Sequence, residues 1–65
     1  MRAIIEYEIE TTDGIEYKLY VNAFGPAVRV FDVEAKEVVT IVNYPDMDKA
    51  QGAYDAAVAF AREIL

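Results

Sequence analysis

Carboxylates at every second position are the most distinctive chemical feature near the start of this sequence. Glu6, Glu8 and Glu10 alternate with apolar residues. Alternate residues of a β-strand share one face of a sheet and lie about 6.8 Å apart, so three such carboxylates form an evenly spaced anionic row. A nucleic-acid strand also presents negative charges at regular intervals. The spacing therefore predicts a surface that can occupy a basic groove built for a phosphate backbone.

The residue types exclude most enzymatic chemistry. The chain has 65 residues and contains neither His nor Cys. It therefore lacks the side chains of a zinc site, of a Ser-His-Asp triad and of a disulfide scaffold. Carboxylates that act as acid and base need a cleft, which a chain of this length hardly forms. We expect a protein that is not an enzyme and that uses no cofactor and no metal.

The overall charge indicates the kind of partner. Twelve acidic and six basic residues give a net charge of −6, which favours a basic protein and disfavours nucleic acid or anionic lipid. The chain is 55% apolar, which is typical of a folded domain, and it has no apolar run long enough to span a bilayer. The first residues do not read as a signal peptide. We expect a single compact domain over residues 1–65, located in the cytoplasm.

Two alternating runs predict the β-hairpin that positions the carboxylates. Residues 3–9 and 15–21 both alternate, and residues 11–14 carry a strong turn signal. A two-residue loop of Asp13 and Gly14 places Ile9 opposite Lys18. A three-residue loop that also includes Thr12 aligns the two apolar rows instead, with Gly14 in a left-handed conformation. We favour the three-residue loop, which sets Glu8 opposite Lys18 and Glu10 opposite Glu16.

The rest of the chain completes an α+β fold. Residues 27–33 read as a third strand, with a bulge where Val30 and Phe31 are adjacent, and residues 37–43 read as a fourth. Phe24, in the turn before the third strand, is expected to point inward. From residue 47 the apolar period becomes helical, with Asp46 as N-cap. The prediction is a four-stranded antiparallel β-meander with one C-terminal α-helix packed on one face.

The predicted helix–sheet contact separates a core from an acidic face. The helical stripe contains Ala50, Ala53, Tyr54, Ala57, Phe60, Ala61 and Ile64. The residues expected to be buried together are Ile5, Tyr7, Leu19, Val21, Tyr54, Ala57, Ala61 and Ile64. The residues expected to bind a partner, with Tyr20 as an exposed aromatic anchor, are Glu6, Glu8, Glu10, Asp13, Glu16 and Tyr20. The alternative is that these charges only keep an exposed sheet soluble.

The second half of the chain is similar to a known DNA-binding layout. Residues 49–57 read Lys-Ala-Gln-Gly-Ala-Tyr-Asp-Ala-Ala. This run resembles the Ala-rich helix of the plant ethylene-response-factor domain and its integrase relatives, in which a helix follows three strands. The resemblance covers residues 28–65 and implies a small nucleic-acid-binding domain, with Arg29 as the basic residue in the matching strands.

The whole chain also resembles a functional class. Its small size, acidity and anionic face are similar to those of small acidic phage anti-defence proteins, including anti-CRISPR proteins that act as DNA mimics. This resemblance implies a stoichiometric inhibitor, monomeric or weakly dimeric, that occupies the DNA-binding site of a host effector complex. Three hypotheses follow: such an inhibitor, a nucleic-acid-binding domain, and a structural or assembly subunit without separate activity.

Overall fold

The predicted α+β meander is confirmed. A computed structural model describes residues 5–64, which form one antiparallel sheet in the order β1-β2-β3-β4 and a single helix. The strands are β1 (Ile5–Thr12), β2 (Ile15–Asn22), β3 (Gly25–Asp32) and β4 (Glu37–Asn43), and the helix is α1 (Met47–Ile64). The helix packs against β1, β2 and β3 on one face of the sheet.

The first hairpin uses the two-residue loop, so the favoured three-residue loop is wrong. Thr12 pairs with Ile15, and both Asp13 (φ 52°) and Gly14 (φ 80°) are left-handed. This is the turn geometry whose twist matches that of the flanking strands. Ile9 consequently faces Lys18. A register shift at Tyr7 then inserts one extra residue into β1, so that Ile5 pairs with Val21.

The other two connections differ from expectation in detail. Phe24 is 84% exposed and not tucked inward, because the turn between β2 and β3 is held by Asn22 Oδ1, which accepts a hydrogen bond of 2.9 Å from the Phe24 N–H. The bulge expected at Val30 and Phe31 is present as a register shift, but the extra residue, Val39, belongs to β4.

The helix begins where the sequence predicts. The Asp46 side chain accepts a hydrogen bond of 2.9 Å from the Lys49 N–H, which confirms Asp46 as the N-cap. Asp48 in the first turn and Arg62 in the last turn both complement the helix dipole.

The core differs from the predicted one in both its sheet and its helix positions. Its central cluster is Leu19, Val28, Ala50, Tyr54 and Val58, and Ala61 is buried as well. Val58 replaces Phe60, which is 62% exposed, and Ala57 is only half-buried.

Two of the expected sheet residues also lie outside the core. Tyr7 is 55% exposed because it is the extra residue of the β1 register shift, and Val21 is half-buried. The side chains of Ile5 and Ile64 lie outside the part of the chain that the structure describes.

Candidate functional site

The predicted acidic row is divided between the two faces of the sheet. Glu6 pairs with Tyr20 and lies on the open face, whereas Glu8 pairs with Leu19 on the face that the helix covers. Glu10, opposite Tyr17, is on the helix side, and Glu16 is on the open side. A one-residue change of register reverses every side chain of a strand, so the two-residue loop moves Glu8 and Glu10 to the helix side. The extra residue Tyr7 then returns Glu6 to the open side, and the single continuous anionic surface that we expected is not formed.

The open face is neutralised by its own basic residues. Lys18 Nζ lies 2.8 Å from Glu6 Oε2, and Arg29 Nη2 lies 2.8 Å from Glu16 Oε1. The hydrogen bond from Lys18, reinforced by its positive charge, lowers the pKa of Glu6. Glu10 faces Tyr17 and not Glu16, so the expected repulsion between Glu10 and Glu16 is absent. Among the described residues, the charges of these four side chains cancel on the open face.

Two further predicted contact residues lie apart from the row. Asp13 is exposed in the first hairpin turn, at the end of the sheet where Val33 N–H donates to Gly14 O at 3.0 Å. Tyr20 is only 7% exposed, so the expectation of an exposed aromatic anchor is wrong. Lys18 Nζ lies 5.6 Å from the centre of its ring, and Asn22 Nδ2 donates to its hydroxyl at 3.5 Å.

Glu8 and Glu10 instead form a site together with the helix. Gln51 Nε2 donates to Glu8 Oε2 at 2.8 Å and to Asp55 Oδ1 at 3.0 Å. Arg62 Nη2 lies 3.0 Å from Glu10 Oε1, and its side chain remains 61% exposed. Between β1 and α1 these side chains border an open groove of about 290 Å³. We call it the acidic groove; it is lined by Glu8, Glu10, Tyr54, Asp55, Val58, Ala59 and Arg62.

The charges of the acidic groove are unbalanced. Within residues 5–64, Glu8, Glu10 and Asp55 contribute three carboxylates to the lining, and Arg62 contributes one cation. Glu8 and Asp55 share a neutral amide donor rather than a cation. The groove therefore retains a negative charge that faces solvent, and its chemistry suits a Lys or Arg side chain.

Tyr54 is a lining residue of the acidic groove, and the pKa of its phenol responds to the carboxylates there. The residue is 4% exposed. Burial raises the pKa of its phenol above the ordinary value of 10.0, and the carboxylates of Glu8, Glu10 and Asp55 raise it further, because each disfavours the phenolate.

This shift predicts a loss of stability at alkaline pH. Below pH 10.0 Tyr54 is neutral in both the folded and the unfolded chain, so its contribution to the free energy of unfolding is fully present. As pH rises further, the Tyr54 phenol loses its proton first in the unfolded chain. Its contribution to the free energy of unfolding then declines until the pH passes the folded-state pKa. The free energy of unfolding, measured by urea titration between pH 8 and 11, should fall more steeply for the parent than for Tyr54→Phe. Parallel curves would contradict the prediction.

Sequence patterns alone missed half of this site. Gln51, Asp55 and Arg62 were outside the predicted contact set. Gln51 and Asp55 are four residues apart, one position beyond the buried Ala50 and Tyr54, so a helical wheel places them on the flank of the apolar stripe. A helical wheel does not predict which strand this flank of the helix contacts.

Other kinds of site find no support in the described residues. Among residues 5–64, no three acidic, His or Cys side chains converge as a group that could hold a metal ion. No helix in the same part of the chain is long and apolar enough to cross a membrane. Comparison of the chain with protein families, curated proteins and solved structures finds no match.

Proposed function

We propose that this chain is a non-enzymatic inhibitor that binds a basic, nucleic-acid-binding protein and occupies the site that nucleic acid would take. The observation that carries the proposal is the acidic groove, in which Glu8, Glu10 and Asp55 surround a solvent-facing space and Arg62 is the one cation among the described lining residues. A protruding Lys or Arg of a nucleic-acid-binding surface supplies the missing positive charge. The net charge of −6 also favours encounter with such a surface.

The positions of the carboxylates support a protein partner. Glu8 belongs to a sheet strand and Asp55 to the helix, and Gln51 holds the two carboxylates together. Because these groups are already oriented, a cationic side chain that enters the groove orders little else. Glu6 and Glu16 are engaged by Lys18 and Arg29, so we assign them no direct contact. Asp13, exposed in its turn, is a peripheral contact in this proposal.

The biological setting follows the same proposal. Blocking a DNA-binding site in the host cytoplasm is the activity of small acidic phage anti-defence proteins, anti-CRISPR proteins among them. We propose an activity of this type for the chain. The partner is then a host effector complex, and inhibition is stoichiometric.

Competition for a nucleic-acid site tests the proposal directly. The partner is captured from lysate of the source host on the immobilised chain, eluted with salt, and mixed with labelled DNA and increasing amounts of the chain. The parent should displace the DNA at low salt, and less effectively at high salt, since ionic strength screens the attraction. The variant Glu8→Gln, Glu10→Gln, Asp55→Asn should lose about 10- to 100-fold in affinity, mainly through faster dissociation, because the direct contacts with the cationic side chain are lost.

A matched variant separates the groove from net charge alone. Asp32→Asn, Glu34→Gln, Glu37→Gln also removes three negative charges, all from the hairpin between β3 and β4 and none from the lining of the groove. It should lose no more than about 3-fold, because it changes only the long-range field. Equal losses in both variants would contradict a specific groove.

Two other outcomes would replace the proposal. If the DNA stays bound to the partner at a saturating concentration of the chain, the two do not compete. A structural or assembly role then becomes the better description. If the chain itself binds the labelled DNA, the nucleic-acid-binding domain of the strand-strand-strand-helix type becomes the better description.

A further inference from the structure

The two edges of the sheet are built differently. β1 forms one edge and β4 the other. At β1, the extra residue Tyr7 interrupts the ladder, and Gln51 and Arg62 of the helix contact the β1 glutamates. Irregularity and charge are the usual means by which proteins prevent an edge strand from pairing. The β1 edge is therefore closed to a second sheet.

The β4 edge also has an extra residue, Val39, but it lacks the charges that β1 carries. All seven residues of Glu37–Asn43 are exposed, and no charge interrupts the six residues after Glu37. Four of these are apolar and β-branched, with exposures between 43% and 60%: Val38, Val39, Ile41 and Val42. From residue 40 to residue 43 the strand is in continuous register with β3 and carries no charge. An uncharged edge of this kind is a template for pairing with another strand.

The alternation of hydrogen bonds along the β3–β4 ladder identifies the backbone groups of β4 that are free to pair with another strand. Tyr44 N–H donates to Pro26 O at 2.9 Å, and Arg29 is the register partner of Ile41. Hydrogen-bonded and non-hydrogen-bonded pairs alternate along an antiparallel ladder. Counting from the Tyr44 bond, Thr40 and Val42 bond to β3, whereas Ile41 directs its N–H and C=O away from β3. The outer side of β4 thus offers unpaired backbone groups at Ile41.

We infer that β4 pairs antiparallel with β4 of a second copy of this chain, in a two-fold dimer with a continuous eight-stranded sheet. An edge that pairs with itself gives a closed dimer, and the protected β1 edge prevents further growth. With Ile41 opposite its own copy, each Glu37 faces Pro45 of the partner, so like charges are not opposed. This register aligns the outward backbone groups of the two Ile41 residues and places Asn43 of each strand opposite Val39 of the other.

Dimerisation would cover apolar side chains of β4 that the helix leaves exposed. The helix packs on β1, β2 and β3, which leaves the apolar side chains of β4 the least covered part of the sheet. Pairing would place the two Ile41 side chains opposite each other and Val42 of each strand opposite Thr40 of the partner. Two strands of this length bury less than a standard interface, so a dissociation constant of about 1–100 μM is expected.

Sedimentation velocity over a concentration series of the full chain tests the inference. The parent should change from monomer to dimer within the micromolar range. Ile41→Pro removes the outward donor and leaves the β3 ladder intact, so it should weaken dimerisation at least about 10-fold without unfolding the monomer. Thr40→Pro, one residue earlier, removes a donor to β3 and should lower the urea midpoint of the monomer instead.

Two further variants keep the test decisive if proline disturbs the fold. Ile41→Lys retains the backbone donor but introduces opposed like charges in the dimer, and it should also weaken dimerisation at least about 10-fold. Ile41→Cys should form a disulfide with its own copy under mild oxidation, because directly opposed Cα atoms lie about 5.5 Å apart. Phe60→Cys, an exposed helix position, is the matched control and should not cross-link at the same rate.

Three results would overturn the inference. One is a parent chain that remains monomeric up to about 1 mM. Another is a dimer that persists unchanged in both Ile41→Pro and Ile41→Lys. The third is a monomeric chain whose β4 binds only an added strand peptide, which would make the occupant a foreign strand. The result is independent of the acidic groove, since neither variant touches it.

Discussion

Replacing Ala50 with glutamate should unfold the domain at room temperature. Ala50 is completely buried against the sheet, in the cluster that contains Leu19 and Val28. A carboxylate placed there loses its hydration without gaining a partner, at a cost of several kcal/mol. A chain of 65 residues has a total stability of about 3–10 kcal/mol, so this cost removes most of it. Far-ultraviolet circular dichroism during urea titration would show the loss.

The matched control for this prediction is Ala56→Glu. Ala56 belongs to the same helix but is exposed, so an added glutamate stays hydrated. The helix propensity of glutamate is close to that of alanine, so we expect the free energy of unfolding to change by less than about 0.5 kcal/mol. Glutamate in the first turn of a helix is favoured by the dipole, so only burial explains a large effect at Ala50. A melting temperature of Ala50→Glu within about 2 °C of the parent would show that the helix does not pack there.

Truncation of Leu19 to alanine should have the second largest effect. Leu19 is the one large side chain that is fully buried among the described residues, and it lies between the helix and the sheet. Leu→Ala changes at such sites cost about 2–5 kcal/mol, because they lose burial and leave a cavity. In a domain of this size, we expect the urea midpoint to fall by at least about one third.

Ile9→Ala is the control that separates the structure from the sequence pattern. Ile9 and Leu19 both belong to apolar rows of the alternating strands, and the predicted register placed both rows on the helix face. The structure places Ile9 on the open face, opposite Lys18, with 53% exposure. We therefore expect a cost below about 1 kcal/mol. Similar costs for Ile9→Ala and Leu19→Ala would indicate that the three-residue loop is the correct one.

Element positions follow from signals that are local in the sequence. The predicted fourth strand over residues 37–43 coincides with β4, and the predicted helix from residue 47 coincides with the start of α1. A run of β-branched residues, a change to helical period and the N-cap Asp46 each act within a few residues. Such signals determine the type and bounds of an element without reference to its neighbours.

The face of each β1 side chain could not be obtained in this way. Three-residue and two-residue loops both fit residues 11–14, and the choice between them reverses the strand. The turn adopts the tighter loop because Asp13 and Gly14 both accept left-handed dihedrals. The extra residue at Tyr7 has no local signature, since it compensates for a turn five residues away. These two choices divided the predicted row of glutamates.

The sequence by itself determined the order of elements, the helix cap, the acidic net charge and the absence of His and Cys, because each depends on residue identity or short-range period. Tertiary structure alone decided that Glu8 and Glu10 meet Gln51, Asp55 and Arg62, and that Lys18 and Arg29 neutralise the open face. These contacts join residues separated by 12 to 52 positions along the chain. Their formation depends on strand register and on where the helix crosses the sheet, and a shift of one residue changes all of them together.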